Sequence, residues 1–252
     1  MLFSPGRRIS APRTISPAGL ASINNNKTRE ARDLSSTRQS YNHELENLRC
    51  DISEMGNLVG LAIGEAVKAL AAQDRELAHK VMAGDDMIDG MEVDIEDKCM
   101  VLIATQQPLA RDLRIIGTGL KITTDLERIG DHAFDIAKIA LKLAGEPFIK
   151  PLVDLPRMTD MAQAMLKDSL AAYTSLDIAL AEQVCQADDG VDNLYQQIFR
   201  ELLTYMLEDP RTISQATQLI FVARYLERVA DHATNIAEWV IYLATGRRMR
   251  KK

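Results

Sequence analysis

The fold is decided by a stretch that the chain contains twice: Leu126-Glu127-Arg128-Ile129-Gly130-Asp131-His132-Ala133 and, one hundred residues later, Leu226-Glu227-Arg228-Val229-Ala230-Asp231-His232-Ala233. In each copy a glutamate and an aspartate lie four residues apart. Residues with this spacing are neighbours on one face of an α-helix, so each copy predicts a helix with carboxylates along one side. Like charges at this spacing repel each other by about 0.2–0.5 kcal/mol per pair, which indicates that a cation compensates for them.

The duplication extends beyond these two octapeptides. Two more acidic positions recur at a constant offset of 103 residues: Asp85 and Asp89 in the first half, Asp188 and Asp192 in the second. Apolar residues recur at steps of three and four through both halves, and prolines separate the periodic segments. The loops are short, which favours antiparallel neighbours. The sequence therefore predicts an all-α fold of two tandem antiparallel three-helix bundles, at about 41–146 and 150–246.

Composition supports helices and limits the other possibilities. Hydrophobic residues make up 46% of the 252 residues but aromatic residues only 5%, a balance that favours packed helices over a sheet. The three cysteines are far apart, which indicates free thiols rather than disulfides. The sequence contains no continuous apolar run near the roughly 18 residues that span a bilayer and no apolar segment typical of a secretory signal.

Charge is distributed unevenly along the chain. Residues 1–40 carry seven basic and two acidic side chains, and residues 247–252 form a tail with five more basic ones. Residues 41–246 then contain 18 basic and 34 acidic side chains, a net charge of −16. Residues 1–40 lack a hydrophobic period and are rich in Ser, Pro, Asn and Arg, so we expect a disordered basic arm. The acidic body predicts no direct nucleic-acid binding.

The antiparallel arrangement predicts where the carboxylates meet. Residues equally far from the turn at Pro108 lie at the same height on the second and third helices of the first half, so Asp89 faces Glu127 and Asp85 faces Asp131. The turn at Pro210 places the corresponding residues of the second half in the same way. Neighbouring helix axes lie about 8–10 Å apart, within reach of side chains that share one ion.

Two interpretations of these facing carboxylates compete. Nearby arginines could neutralise them as salt bridges, the candidates being Arg111, Arg114, Arg128, Arg224 and Arg228. Alternatively a hard cation does so: magnesium, manganese, iron or zinc, bound through oxygen ligands. The candidate ligands of the two halves, with one polar residue that follows on each same face, are Asp85, Asp89, Glu127, Asp131 and Asp135, and Asp188, Asp192, Glu227, Asp231 and Asn235.

The histidines of the repeated stretch are expected at the edge of these groups. His132 and His232 lie about 140° around the helix from their glutamates, so a hydrogen bond to a neighbouring helix is favoured over metal ligation. The Glu-x-x-His pattern of di-iron bundles is absent, because Gly130 and Ala230 occupy the fourth position. No phosphate-binding loop, dinucleotide motif or nucleophile elbow occurs, and we expect no catalytic residues. A metal-dependent oxidase or phosphohydrolase stays open as the alternative.

Three motifs together resemble the PhoU family of phosphate-uptake regulators. They are the duplicated Leu-Glu-Arg-[Ile/Val]-[Gly/Ala]-Asp-His-Ala stretch, the Asp-Asp-x-[Ile/Val]-Asp elements, and Gln107-Pro108-Leu109-Ala110-Arg111-Asp112-Leu113-Arg114. The resemblance covers residues 41–246. It departs from the family pattern in the 40-residue basic arm and in Asp135, where asparagine is more usual.

This resemblance implies a function that spacing alone does not give. Family members fold as two similar three-helix bundles and bind multinuclear clusters of divalent or trivalent metal ions, through positions that match the acidic residues named above. They are non-enzymatic negative regulators of high-affinity phosphate uptake and of the phosphate-starvation response. The resemblance implies a cytoplasmic homodimer, peripheral to the membrane at most. Its expected partners are the ATPase of the phosphate transporter (PstB) and the sensor histidine kinase (PhoR).

Overall fold

The predicted all-α architecture is confirmed. The computed structural model describes the backbone of residues 17–106 and 108–248, and the side chains of residues 38–106 and 108–248. Six helices occupy this part of the chain, which contains no strand: α1 (Pro17–Ala72), α2 (Arg75–Gln106), α3 (Ala110–Leu143), α4 (Asp154–Ser175), α5 (Ile178–Glu208) and α6 (Ile213–Thr245). A single 3-10 turn at Pro210–Thr212 leads into α6.

The first helix begins earlier than the sequence pattern indicated. The period of apolar residues starts near Tyr41, whereas α1 begins at Pro17. The prediction of a disordered arm at 1–40 therefore differs from the structure over residues 17–40, and residues 1–16 lie outside the described residues. Proline suits the first turn of a helix, and after Gly19 neither proline nor glycine interrupts the chain before Gly56, so nothing in this segment breaks a helix.

Among the residues that the structure describes, one helix is apolar enough to resemble a membrane span. By length and composition alone, residues 38–72 meet the requirement, although the sequence shows no uninterrupted apolar run there. Within this stretch, residues 55–72 carry only two charged side chains, Glu65 and Lys68. Of the apolar window, 44% is buried inside the protein, and a core helix passes the same test. The buried residues Ile52, Val59 and Ile63 pack in the helical core, which accounts for the composition.

An aspartate caps the N-terminus of the corresponding helix in each half. The carboxylate of Asp74 accepts a hydrogen bond from the backbone N–H of Leu77 at 3.0 Å, ahead of α2. Asp177 accepts one from the N–H of Leu180 at 3.1 Å, ahead of α5. Aspartate at this position satisfies one of the free N–H groups of a helix N-terminus. The offset of 103 residues is thus an offset between equivalent caps, which keeps the acidic residues farther along both helices in register.

The helices of residues 45–252 pack as one unit around α3 and α6. In the first half α2 packs on α3; in the second, α4 and α5 pack on α6 and on each other. The two halves meet where α3 packs on α6. Both central helices are lined with fully buried apolar residues, among them Ile122, Leu126 and Ile129 on α3 and Leu226 and Val229 on α6. The repeated stretch lies in the middle of these two helices, so its apolar residues form the core while its carboxylates lie at the α2–α3 and α5–α6 seams.

Candidate metal-binding site

The first acidic group lies on the seam between α2 and α3, at the predicted height. Burial raises the pKa of Asp85 to about 6, and the charges of Asp89 and Asp131 raise it further. Burial and the charge of Asp131 raise the pKa of Glu127, and Asp89 on the facing helix adds to this effect. Carboxylates raise each other's pKa only where they lie close together. The prediction that these four residues face each other across one helix pair is therefore confirmed.

A fifth carboxylate, Glu92, belongs to this first acidic group. Burial raises its pKa, followed by the charge of Glu96 and then by Asp89 and Asp131. Sequence reasoning missed this residue because it searched for acidic positions present in both halves, and the position that corresponds to Glu92 is Tyr195. The signal was available, since Glu92 follows Asp89 by three residues and lies on the same helix face.

The second acidic group forms in the same way on the seam between α5 and α6. Burial raises the pKa of Asp192, and Asp231 on the facing helix is the next largest cause. Burial also raises the pKa of Glu227, with further contributions from Asp231 and Asp192. Asp188 lies one turn before Asp192 on α5, near enough to Cys185 to contribute to the raised pKa of that thiol. Asp192, Glu227 and Asp231 thus repeat the facing arrangement of the first group.

Arginines neutralise part of each group, as one of the two interpretations predicted. In the first group Arg128 lies 3.3 Å from Glu127 and 3.1 Å from Asp131. In the second, Arg228 lies 3.5 Å from Asp231 and 3.9 Å from Glu227. These two arginines occupy equivalent positions of the repeated stretch and are both exposed. Exposed ion pairs of this kind contribute little stability, and they leave carboxylate oxygens available.

A third arginine distinguishes the two groups. Arg224 pairs with Glu227 one turn along α6, and its guanidinium lies 5.7 Å from the ring centroid of Tyr195. The equivalent positions of the first half hold Thr124 and Glu92. The second group therefore has an extra positive charge and an aromatic neighbour where the first group has a hydroxyl and an extra negative charge.

The donor atoms fit a hard cation. Both groups offer carboxylate oxygens from two facing helices, and the buried Oε2 atom of Glu227 has no hydrogen-bond partner. Buried polar atoms in native proteins are nearly always satisfied, so an unsatisfied carboxylate oxygen is typical of a position that a cation or water completes. Within residues 38–106 and 108–248, however, no three carboxylate, imidazole or thiol groups converge closely enough to hold one ion in their present orientations.

The two histidines lie between the halves, where α3 packs on α6. The Nδ1 atom of His232 lies 2.9 Å from a carboxylate oxygen of Asp125 on α3, so the predicted hydrogen bond to a neighbouring helix is confirmed for this residue. His132 instead stacks on the ring of Tyr225 at a centroid distance of 5.4 Å. The two imidazoles are themselves 5.8 Å apart. Burial, followed by the proximity of His232, lowers the pKa of His132 to about 4, so His132 is neutral at physiological pH.

These contacts reveal a pseudo-twofold axis between the halves. Asp125 contacts His232 and accepts a hydrogen bond at 3.3 Å from the amide of Asn235. The residue one hundred positions later, Tyr225, contacts His132 by stacking and Asp135 by a hydrogen bond. The candidate ligands Asp135 and Asn235 thus each contact a residue of the opposite half. Asp135 also contributes to the raised pKa of Asp85, which keeps it close to the first acidic group.

A family model describes both halves of the chain. The PhoU domain matches residues 52–140 and, a second time, residues 155–240. The two matches reach all three helices of each half and include every candidate ligand.

Relatives from several bacteria show the same similarity over most of the chain. The phosphate-specific transport system accessory protein PhoU homolog of Aquifex aeolicus is 49% identical over 203 residues, which are 81% of this chain and 92% of the relative. That of Clostridium acetobutylicum is 44% identical over 214 residues, which are 84% of this chain and 98% of the relative.

Solved structures agree with the fold. The crystal structure of PhoU from Pseudomonas aeruginosa superposes with a TM-score of 0.79 at 42% sequence identity and covers 82% of this chain and 100% of that one. The crystal structure of the phosphate transport system regulatory protein PhoU from Streptococcus pneumoniae gives a TM-score of 0.78 at 31% identity, with 84% and 100% covered.

Proposed function

Because this chain belongs to the PhoU family, we propose that it is a negative regulator of high-affinity phosphate uptake and of the phosphate-starvation response. The relatives that resemble it over most of their length carry the name of a phosphate transport accessory protein. The observation that carries the proposal is the duplicated acidic seam, because the repeated motif of the family folds into equivalent positions on α3 and α6. An accessory protein of a transporter acts by binding, which makes the ATPase of the transporter and the sensor histidine kinase the partners that we propose.

We propose further that each acidic group binds metal ions and acts as a fastener between two helices. The first site would use Asp85, Asp89, Glu127 and Asp131, and the second Asp188, Asp192, Glu227 and Asp231. A bound cation would supply positive charge that balances the facing carboxylates. In the structure, Arg128 forms an ion pair with Asp131, and Arg224 forms one with Glu227. Metal binding therefore requires their carboxylate partners to turn toward the facing helix, so the arginines and the ion compete for the same oxygens.

The proposal assigns no catalytic role to this chain. Glu127 and Asp131 are placed by α3 to face other carboxylates, and the nearby His132 is buried against Tyr225 with a pKa lowered to about 4. A regulator also needs a surface that its partners recognise and states that they distinguish. We propose that the protein acts at the cytoplasmic side of the transporter as a homodimer, in keeping with the other members of its family.

The test is a deletion of the gene in phosphate-replete cells. We expect phosphate uptake and alkaline phosphatase expression to rise, and a plasmid copy of the gene to restore both. A copy with Asp85 and Asp89 changed to Asn should restore them incompletely, whereas the exposed Asp97→Asn variant should restore them fully. Unchanged uptake and phosphatase expression after deletion would overturn the proposed function. Co-purification with the transporter ATPase and the sensor kinase tests the partners separately.

A further inference from the structure

A cavity lies beside the contact between α3 and α6, next to Asp125 and Asn235. It has a volume of about 390 Å³ and is lined by residues of α3, of α6 and of the segment after α6: Lys121, Thr124, Asp125, Asn235, Glu238, Trp239, Tyr242 and Arg248. Two walls are aromatic, since Trp239 and Tyr242 pack edge to face with their ring centroids 5.8 Å apart. Two carboxylates, Asp125 and Glu238, also line the cavity.

The chain's own tail already occupies this cavity. The guanidinium carbon of Arg248 lies 4.8 Å from the ring centroid of Trp239 and 5.9 Å from that of Tyr242. Tryptophan is the best aromatic partner for a cation, and the planar guanidinium of arginine stacks where a lysine ammonium does not. The cavity thus displays chemistry that suits arginine: aromatic rings that accept a flat cation, with carboxylates among the lining residues.

A glycine turn returns the tail to the cavity. α6 ends at Thr245, and Gly246 follows in the left-handed region with φ 71°, its N–H donating to the carbonyl of Tyr242 at 2.7 Å. This turn reverses the direction of the chain, so that Arg248 lies beside residues two turns earlier on α6. A left-handed residue at this position is accessible to glycine at little cost and strained for other residues.

The region of the first half that the pseudo-twofold axis relates to this cavity lacks the arrangement. One hundred positions earlier, the residues that correspond to Glu238, Trp239 and Tyr242 are Lys138, Ile139 and Lys142. The equivalent region of the first half therefore has neither the aromatic pair nor the carboxylate. The arginine-recognising cavity is therefore not a by-product of the duplicated fold, because the same backbone position in the first half carries side chains of the opposite charge.

We propose that this cavity is a docking site for an arginine-containing basic segment of a partner protein, and that Arg248 is an intramolecular competitor for it. The body of the chain carries a net charge of −16, which complements a basic partner. Lys121 also lines the cavity, and its positive charge repels a cation. Binding therefore depends on stacking against Trp239 and Tyr242, which favours a flat guanidinium. A partner segment binds when it displaces Arg248 from the aromatic pair.

The tryptophan gives a direct measurement, because Trp239 is the only one in the chain. A peptide with the sequence of residues 246–252 contains no tryptophan and serves as the basic segment. We titrate it into the full chain and into a chain that ends at Gly246, and follow Trp239 emission. A short tether holds Arg248 at an effective concentration of roughly millimolar. We therefore expect the shortened chain to bind the peptide about tenfold more tightly than the full chain.

Matched variants separate recognition of Arg248 from a general charge effect. Arg248→Gln and Arg250→Gln remove the same charge from the tail, and Arg248 is the residue whose guanidinium is described on the aromatic pair. Arg248→Gln should reproduce most of the gain in affinity, and Arg250→Gln should give little of it. In the shortened chain, Glu238→Gln should weaken binding several-fold, whereas Asp97→Asn, which changes an exposed carboxylate on α2, should leave it unchanged.

Three results would overturn the proposal, and none of them bears on phosphate regulation. The first is an equal effect of Arg248→Gln and Arg250→Gln. The second is equal binding of a peptide in which citrulline replaces each arginine, because the site would then not recognise the guanidinium charge. The third is a Trp239 response to phosphatidylglycerol vesicles but not to the peptide, which would assign the surface to a lipid membrane.

Discussion

The two acidic groups have the same backbone and different chemistry. In the first, Asp85, Asp89, Glu92, Glu127 and Asp131 share one arginine, Arg128. In the second, Asp192, Glu227 and Asp231 lie near two arginines, Arg224 and Arg228. The duplication copied the four facing carboxylates, while the neighbours at 92/195 and 124/224 diverged. Under the proposed metal binding, we therefore expect the first group to depend more strongly on a cation from solution, because arginines of the protein neutralise more of the second group.

Metal binding provides the largest test of this difference. After chelator treatment, added Mn²⁺ should raise the unfolding temperature, since a ligand at 100 times its Kd stabilises the folded state by about 2.7 kcal/mol. We expect Asp85→Asn with Asp89→Asn to remove more of this stabilisation than Asp188→Asn with Asp192→Asn. Calorimetry and elemental analysis of both double variants measure the effect. Equal losses would show that the extra arginine of the second group does not influence ion binding.

The contacts across the pseudo-twofold axis give the next largest effect. Asp125→Ala leaves His232 and Asn235 without their shared acceptor, and an unsatisfied buried polar group costs about 1–3 kcal/mol. Tyr225→Phe keeps the ring that stacks on His132 and removes only the hydroxyl, so it should cost less than Asp125→Ala. Urea unfolding measures both, with the exposed Asp97→Ala as the control. A larger cost for Tyr225→Phe would mean that the contact of Tyr225 with Asp135, and not the contacts of Asp125, is the stronger polar contact between the halves.

Acid titration of the metal-free protein sharpens the comparison further. The pKa of Asp85 is raised to about 6 in the folded state, so the folded protein binds the proton more tightly than the unfolded chain. Stability from this group is present at pH values below its unfolded pKa and is lost as the pH rises through about 6. Asp85→Asn should therefore stabilise the protein at neutral pH and lose this advantage below about pH 4.

Solvent screening limits the gain from Asp85→Asn to about 1 kcal/mol or less, because the carboxyl is only partly buried. The matched variant is Asp192→Asn, whose carboxyl also has a raised pKa but is opposed by the positive charge of Arg224. It should gain less. Unfolding curves at several pH values measure both variants. A pH-independent gain for Asp85→Asn would contradict the assigned titration.

Sequence determined the parts of this structure that repeat. The spacing of Glu127 and Asp131 and the turn at Pro108 were sufficient to predict a helix pair with level carboxylates, because helix geometry and an antiparallel turn leave one register. Glu92 and Arg224 were different. Neither residue has a counterpart of the same type in the other half, so a comparison of duplicated positions did not identify either as a difference between the two groups. The start of α1 at Pro17 was missed because a helix without an apolar stripe gives no periodic signal.

Contacts between the two halves were beyond the reach of spacing arguments. Asp125 and Tyr225 are not similar residues, yet they occupy equivalent positions and contact equivalent partners, the histidine and the final polar residue of the opposite half. The packing of α3 against α6 brings these residues together, and no loop length or periodicity specifies it. Asn235 therefore came into the predicted ligand set by its spacing, whereas its amide donates to Asp125.

The smallest expected effect comes from exchanging the diverged neighbours of the two groups. Thr124→Arg places an arginine three residues before Glu127, as Arg224 is placed before Glu227. An ion pair at this spacing contributes about 0.2–0.5 kcal/mol, so the first group should bind Mn²⁺ roughly twofold more weakly. Arg224→Thr should strengthen binding at the second group by a similar factor, because Glu227 loses its competitor. Isothermal titration with the other group disabled by its double Asn variant measures each change, and changes of the same sign would show that the neighbours at 124 and 224 do not cause the difference.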